Sequence, residues 1–372
     1  MSLEQQALDR ASAVLTIDLD ALADNWRTLA AKVAPAHCAA VVKADAYGLG
    51  IARAAPALWA AGARTFFVAL LQEGHALRAV LPEATIYVLG GLLPGTAAGY
   101  PAAGLRPVLG SLDEIAEWAA YCRDGAGDLP AAIHVDTGMN RLGITVAEAE
   151  RLAETGAGFT PSLLMTHLAC ADTPGHPLTE IQRTRFTRAA AAFPGVPASL
   201  ANSAGCLGAR DLHFDLARPG IALYGGIGRA DTPALAPVVR LEVPIIQIRI
   251  GLPGDSVGYG AAQRLHRDSR IAILSLGYAD GFLRAFGAQD GRAGADAVIA
   301  GQRCPLVGRV SMDLTAVDVT DLPEGAVARG DMAVLLGDGI SVDELAGHGG
   351  TIGYEVLTGL GPRYRRIYRG GV

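Results

Sequence analysis

Residues 40–50 read AVVKADAYGLG: a run of small and β-branched residues ends at Lys43, Tyr47 follows four positions later, and Gly48 and Gly50 permit a sharp turn. A strand that brings a lysine to its tip and then turns leaves the amine where a ligand can reach it. Apolar walls disfavour the ammonium form and ease its deprotonation. A neutral lysine in such a place can form a Schiff base with a carbonyl compound. Taken alone, a lysine at a strand end is more often a solvated surface residue, so the choice rests on what else converges there.

Other polar residues close apolar runs in the same way. Arg141 follows the strand pattern in HVDTGMNRLG, His167 lies near the end of SLLMTHL, Asn202 and Ser203 end PASLANS, and Arg218 sits in LARPG. Each has a plainer reading: His167 as a hydrogen-bonded core histidine, Ser203 before Ala204 and Gly205 as a turn, Arg218 before Pro219 and Gly220 as a surface turn residue. Further on, SVGYGA places Tyr259 between two glycines. Tyrosine titrates near 10, and cations nearby lower that value. A turn or packing role is the ordinary alternative for such a tyrosine.

The elements that would position these groups can be read from periodicity. Strand cores fall at 39–44, 65–70, 85–90, 105–110, 131–136, 162–168, 197–203 and 214–225, with helical patterns between most of them. Ser111 with Glu114, Thr145 with Glu148 and Thr179 with Gln182 fit capping boxes. The pattern predicts an N-terminal (β/α)8 TIM-type barrel over residues 12–235, with chemistry at the carboxyl ends of its strands. A doubly wound open sheet is the alternative, weakened by the lack of GxGxxG after the first strand. From residue 236 to 372 the pattern becomes longer strands joined by Gly-, Asp- and Pro-rich turns, a C-terminal β-rich domain with which residues 1–11 are expected to associate.

A net charge of −6 without a basic run argues against nucleic acid as a partner. No apolar stretch approaches the roughly 20 residues of a membrane helix, and MSLEQQALDR has no apolar signal core, so the expected location is cytoplasmic. Five scattered cysteines without a CxxC pair suggest neither a disulfide framework nor a metal site.

The motifs together resemble alanine racemases along essentially the whole chain. AVVKADAYGLG is similar to the pyridoxal-phosphate lysine motif of that family, and SVGYGA, GYADG (277–281), GRVSMD (308–313) and TIGYEV (351–356) match family motifs in order and approximate spacing. The resemblance implies that Lys43 carries pyridoxal 5′-phosphate covalently. Tyr47, Ser203, the backbone at Gly220 and Ile221, and Tyr354 would bind its phosphate. His167 is counted with the cofactor residues, and Arg218 would face the pyridine nitrogen. An arginine cannot protonate that nitrogen, which would limit transamination and decarboxylation while still permitting proton removal and return. Tyr259 would be the second base on the face opposite Lys43. Arg141 and Met312 would bind the substrate carboxylate, and Tyr278 and Asp313 would line the entrance.

In the family the residues around Tyr259 come from the partner subunit, which implies a head-to-tail homodimer with composite sites and an inactive isolated chain. The implied reaction interconverts L- and D-alanine, feeding peptidoglycan or alanine breakdown. A pyridoxal-phosphate racemase of broader specificity (serine, for example), a decarboxylase of the same fold and a non-catalytic cofactor-binding protein are the competing readings. Many racemases carry a lysine, often carbamylated, where this chain has His134, and histidine forms no such carbamate; Leu49 and Ser311 are lesser departures.

Overall fold

The computed structural model describes residues 13–226, 231–232 and 235–371. In the unit formed by Asp20–Ala236, short parallel strands follow the predicted runs. They are His37–Cys38 continuing as Ala40–Val41, then Thr65–Val68, Thr85–Val88, Leu105–Leu109, Ala131–Asp136, Pro161–Met165, Ala198–Ser199 and Leu216–Ala217. From Ala40–Val41 to Ala198–Ser199 each pairs in parallel with its neighbour in that order, and Leu216–Ala217 pairs in parallel with His37–Cys38. The seam between the last two strands is closed by the amides of Asp215 and Arg218, which donate to the carbonyls of Ala198 (3.0 Å) and Ala201 (2.9 Å). The result is a (β/α)8 barrel. Its strands bury both faces, which is why they read as continuous apolar runs rather than alternating ones. Phe66, Phe67, Ile133 and Leu164 are wholly buried, each such side chain contributing about 1.5–3 kcal/mol.

Helices Ile51–Ala61, Leu71–Val80, Leu112–Tyr121, Val146–Thr155 and Pro177–Ala191 alternate with the strands, but only two short 3-10 turns separate Thr85–Val88 from Leu105–Leu109. Thr145 and Glu148 form the full reciprocal box. Ser111 accepts from the Glu114 amide, but the Glu114 carboxylate reaches back to Gly110 and Leu92 instead. Thr179 is no cap at all: Pro177 supplies the first helical position and His176 caps, so the helix starts three residues early. Gln182 is thereby freed for the barrel rim.

The second unit comprises Pro237–Gly370 with the stretch ending at Leu19. Its spine is the long strand Val239–Gly251, which pairs with Val14–Asp18 and Met332–Leu336 through its first half and with Ser269–Leu274 through its second. A register shift between Ile245 and Gln247 lets one strand serve both partners. Asp296–Ile299, Gln302–Pro305, Thr315–Asp318 and Arg365–Arg369 complete the sheets, and helices Val342–Gly349 and Gly353–Gly359 precede the last of these strands. The sequence places everything from residue 12 in the barrel; Val14–Asp18 instead lies between Val239–Gly251 and Arg365–Arg369. VLTID suits a buried strand in either unit, and only its non-local partners decide which. Residues 1–11 lie outside the described residues. Among the described residues no helix is long and apolar enough to cross a membrane.

Candidate active site

Lys43 leaves the strand Ala40–Val41 and opens a turn of unusual hand. Ala44, Asp45, Ala46 and Tyr47 all have positive φ, between 52° and 56°. A left-handed run of non-glycine residues costs roughly 1–2 kcal/mol per residue, so it persists only where surrounding bonds hold it. Here the Ala46 amide donates to the Val42 carbonyl (2.9 Å), Gly48 to Ala44 (2.6 Å) and Gly50 to Asp45 (2.8 Å). The Asp45 carboxylate accepts from the Ile51 amide at 2.7 Å, starting the next helix. Tyr47 ends the turn buried and stacked on Tyr224 with ring centroids 4.5 Å apart, and the Tyr224 hydroxyl donates to the Val41 carbonyl at 3.0 Å.

The other predicted barrel residues gather at the same rim. Burial lowers the lysine's affinity for a proton, the charge of Arg141 lowers it further, and Glu73 opposes both. His134 is pushed down to about 4 by burial and then by Arg218 and Arg141. His167 falls well below its usual range for the same reasons, with His134 and Lys43 adding to the two arginines. Lys43, His134, Arg141, His167 and Arg218 therefore share one electropositive neighbourhood in which both imidazoles stay neutral at neutral pH. Arg218, lowered to about 10 by burial, keeps its charge. Its guanidinium donates to Ser199 Oγ and to the Thr166 carbonyl (2.6 Å). The loop bearing Arg141 is fixed by Asp136, whose Oδ1 accepts from the amides of Gly138 (2.8 Å), Met139 (2.9 Å) and Asn140 (3.2 Å).

Beside this cluster lies a turn of backbone amides. Asn202 caps the short helix Ser203–Leu207, and Ser203 Oγ accepts from the amides of Gly220 (2.8 Å) and Ala222 (3.2 Å), flanking the buried Ile221. A Cβ on Gly220 would overlap the Tyr47 hydroxyl, so glycine is required for that hydroxyl to reach the turn. A hydroxyl, a phenol and successive amides are a donor set suited to a phosphate.

The remaining predicted residues belong to the second unit, where hydrogen bonds and close backbone approach link several of their segments. The amides of Tyr278 and Ala279 donate to the carbonyls of Ser311 and Met312, both at 3.0 Å. Arg363 pairs with Asp313 at 2.9 Å and with Asp280 at 3.1 Å. Tyr354 lies on the helix Gly353–Gly359, whose end packs against Gly281. Tyr259 occupies a tight loop between Gly258 and Gly260, both at positive φ, and that loop lies against Gly308 and Arg309. Tyr259 is 71% exposed, Met312 53%, Tyr278 43% and Tyr354 39%. These large side chains therefore stand exposed on neighbouring segments of the unit.

Two departures from the expected pattern acquire a setting. Leu49 is fully buried, a position an apolar side chain suits. His134, also buried, is a neutral group near two arginines and can accept a hydrogen bond without supplying the negative charge of a carbamate. Its low proton affinity makes stability depend on acidity. Below pH 6.5 the unfolded chain takes up a proton that the folded chain refuses until about pH 4, so stability is complete above that window and falls as pH drops through it. The loss from His134 alone should reach about 3 kcal/mol. Urea unfolding at pH 7 and pH 5 should show a slope that His134→Asn reduces; an unchanged slope would refute the assignment.

The rim also holds residues that sequence reasoning passed over, Glu73, Ser199, Thr166 and Tyr224, and two that it read only as helix caps, Glu114 and Gln182. Each acts through a partner distant in sequence, which no local pattern announces.

Two family models, described as the N-terminal and C-terminal domains of alanine racemase, match residues 17–227 and 238–368. The chain belongs to the alanine racemase family. An alanine racemase of Methylobacterium sp. (strain 4-46) is 56% identical over 360 residues, covering 96% of this chain and 97% of that one. One from Methylobacterium nodulans is 54% identical over 360 residues, with 96% of both chains covered. Among solved structures, the alanine racemase of Bartonella henselae with covalently bound pyridoxal phosphate superimposes with a TM-score of 0.91 at 39% identity, covering 96% of this chain and all 100% of that one. Family membership thus rests on both units.

Proposed function

We propose that Lys43 and Tyr259 are the two bases of the reaction this chain catalyses, the interconversion of L-alanine and D-alanine, with pyridoxal 5′-phosphate as cofactor. The barrel rim fits that group: an amine made easier to deprotonate, a phenol, a hydroxyl and backbone amides gathered at Tyr47, Ser203 and Gly220 that suit a phosphate, and a buried guanidinium. When bound, the cofactor supplies an electron sink that acidifies the substrate's α-hydrogen.

In this reading Lys43 holds the cofactor and exchanges a proton on one face of the substrate carbon. Tyr259 does so on the other. Ser203, Tyr47, Tyr354 and the backbone at Gly220 and Ile221 hold the phosphate, and His167 lines the ring site. Arg218 is assigned to the ring nitrogen, where a permanent cation cannot donate a proton, favouring proton exchange over decarboxylation. Arg141 and Met312 bind the substrate carboxylate, and Tyr278 and Asp313 border the entrance. The exposed aromatic group of the second unit supports a head-to-tail homodimer in which Tyr259 serves the partner's lysine. The cytoplasm is the location this reading assigns.

One observation carries the proposal: Lys43, held at a strained turn, meets Arg141, His167 and Arg218 in a shared electrostatic neighbourhood. The test is conversion of enantiopure alanine by purified protein with cofactor, followed by circular dichroism. Both enantiomers should converge on a racemic mixture; serine and bulkier amino acids turned over as efficiently would exclude an alanine-selective pocket.

A further inference from the structure

Glu73 is the third residue of the helix Leu71–Val80. One carboxylate oxygen accepts from the amide of Ala44 at 2.6 Å, and the other from the amides of Ala69 (2.7 Å) and Leu70 (3.1 Å). A single side chain therefore clasps the loop after the lysine strand to the loop after the next strand. The clasped segment is the left-handed run of residues 44–47, which has the greatest need of an outside restraint. The same device recurs away from the lysine. Glu114, also third in its helix, accepts from Gly110 and from Leu92 (3.2 Å). Gln182 accepts from Ala169 (2.9 Å) and donates to the His167 carbonyl (2.8 Å). Glu73 differs from these two in bonding the residue next to the lysine, and its charge acts on the amine against both burial and Arg141.

We propose that Glu73 is a positioning residue for Lys43: its carboxylate fixes the left-handed turn that aims the amine and places a negative charge beside it. The inference rests on Lys43 being the cofactor lysine.

The test uses full-length apoprotein, in which borohydride trapping of pyridoxal phosphate across a pH series reports the protonation of Lys43. Glu73→Gln should move the midpoint of capture to lower pH, since burial and Arg141 then act unopposed. In the reconstituted enzyme kcat should fall about tenfold through misplacement of the amine. Glu114→Gln, the matched clasp elsewhere on the rim, should lower the melting temperature and leave the midpoint alone. A Glu73→Gln protein with the wild-type midpoint reduces Glu73 to a structural brace and overturns the proposal. Where Glu73→Gln yields no folded protein, Glu73→Asp decides: wild-type kcat overturns the proposal, and about a tenfold loss with the midpoint kept supports it. Lys43→Ala separates the two levels. If it still traps cofactor, the lysine assignment fails; if it does not and the Glu73 variants match wild type, only the role of Glu73 fails.

Discussion

Lys43→Ala protein retains no pyridoxal phosphate after borohydride reduction and dialysis, and its racemisation of alanine falls at least about 10⁴-fold. The size of the loss follows from the two duties given to one amine, holding the cofactor and exchanging a proton on one face of the substrate carbon. Alanine leaves the local fold intact, because the strained turn is held by the backbone bonds of Ala44, Ala46, Gly48 and Gly50 and not by the lysine side chain. Mass spectrometry of the reduced protein checks the result directly: wild type should carry one label on the peptide containing Lys43, and the variant none. A variant that kept the trapped label would place the cofactor elsewhere and dismantle the reading of the rim.

The second large effect belongs to Tyr259→Phe. Removing one hydroxyl from an exposed loop costs the fold little, and the cofactor's visible absorption should match wild type. Racemisation should fall by about 10²–10⁴-fold, the usual worth of a general acid–base group. In deuterium oxide the variant should wash out the α-hydrogen of one alanine enantiomer and spare the other, because a single base remains. Equal washout from both enantiomers at wild-type rates would refute the two-base assignment. Mixing this variant with Lys43→Ala tests the composite site as well. A randomly exchanged head-to-tail pair contains hybrids with one intact site, so about a quarter of wild-type activity should return. No recovery after verified subunit exchange would mean that Tyr259 serves its own chain's lysine.

Much of this arrangement is legible in the sequence, and what is not has identifiable causes. The barrel strands overlap or adjoin apolar runs visible in the chain, since a doubly buried parallel strand leaves a dense local signal. Several are shorter than their runs: residues 39–44 yield only Ala40–Val41, and 214–225 only Leu216–Ala217 before a 3-10 turn over Ile221–Tyr224. In both cases the chain abandons the strand to present a residue at the rim, which local propensity does not anticipate. The left-handed turn after Lys43 is built from Ala, Asp, Ala and Tyr, of which only Asp leans towards positive φ. One of its restraints is Glu73, 29 residues away from Ala44. Val14–Asp18 is absent from the strand runs read in the sequence, and its pairing across more than two hundred residues leaves no trace in a single chain. The sites on both units were visible as motifs, whereas the clasps that stiffen the rim were not.

The strand Val14–Asp18 sits between Val239–Gly251 and Arg365–Arg369, while residues 20–236 form the barrel. During synthesis the whole barrel emerges before either neighbour of that first strand has been made. Domains that fold as they leave the ribosome do so in the order their residues appear, so the amine-bearing half matures early while the phenol-bearing half waits for nearly the last residues translated. A single proteolytic cut near residue 236 likewise cannot release the later half intact, because it strands Val14–Asp18 on the wrong fragment.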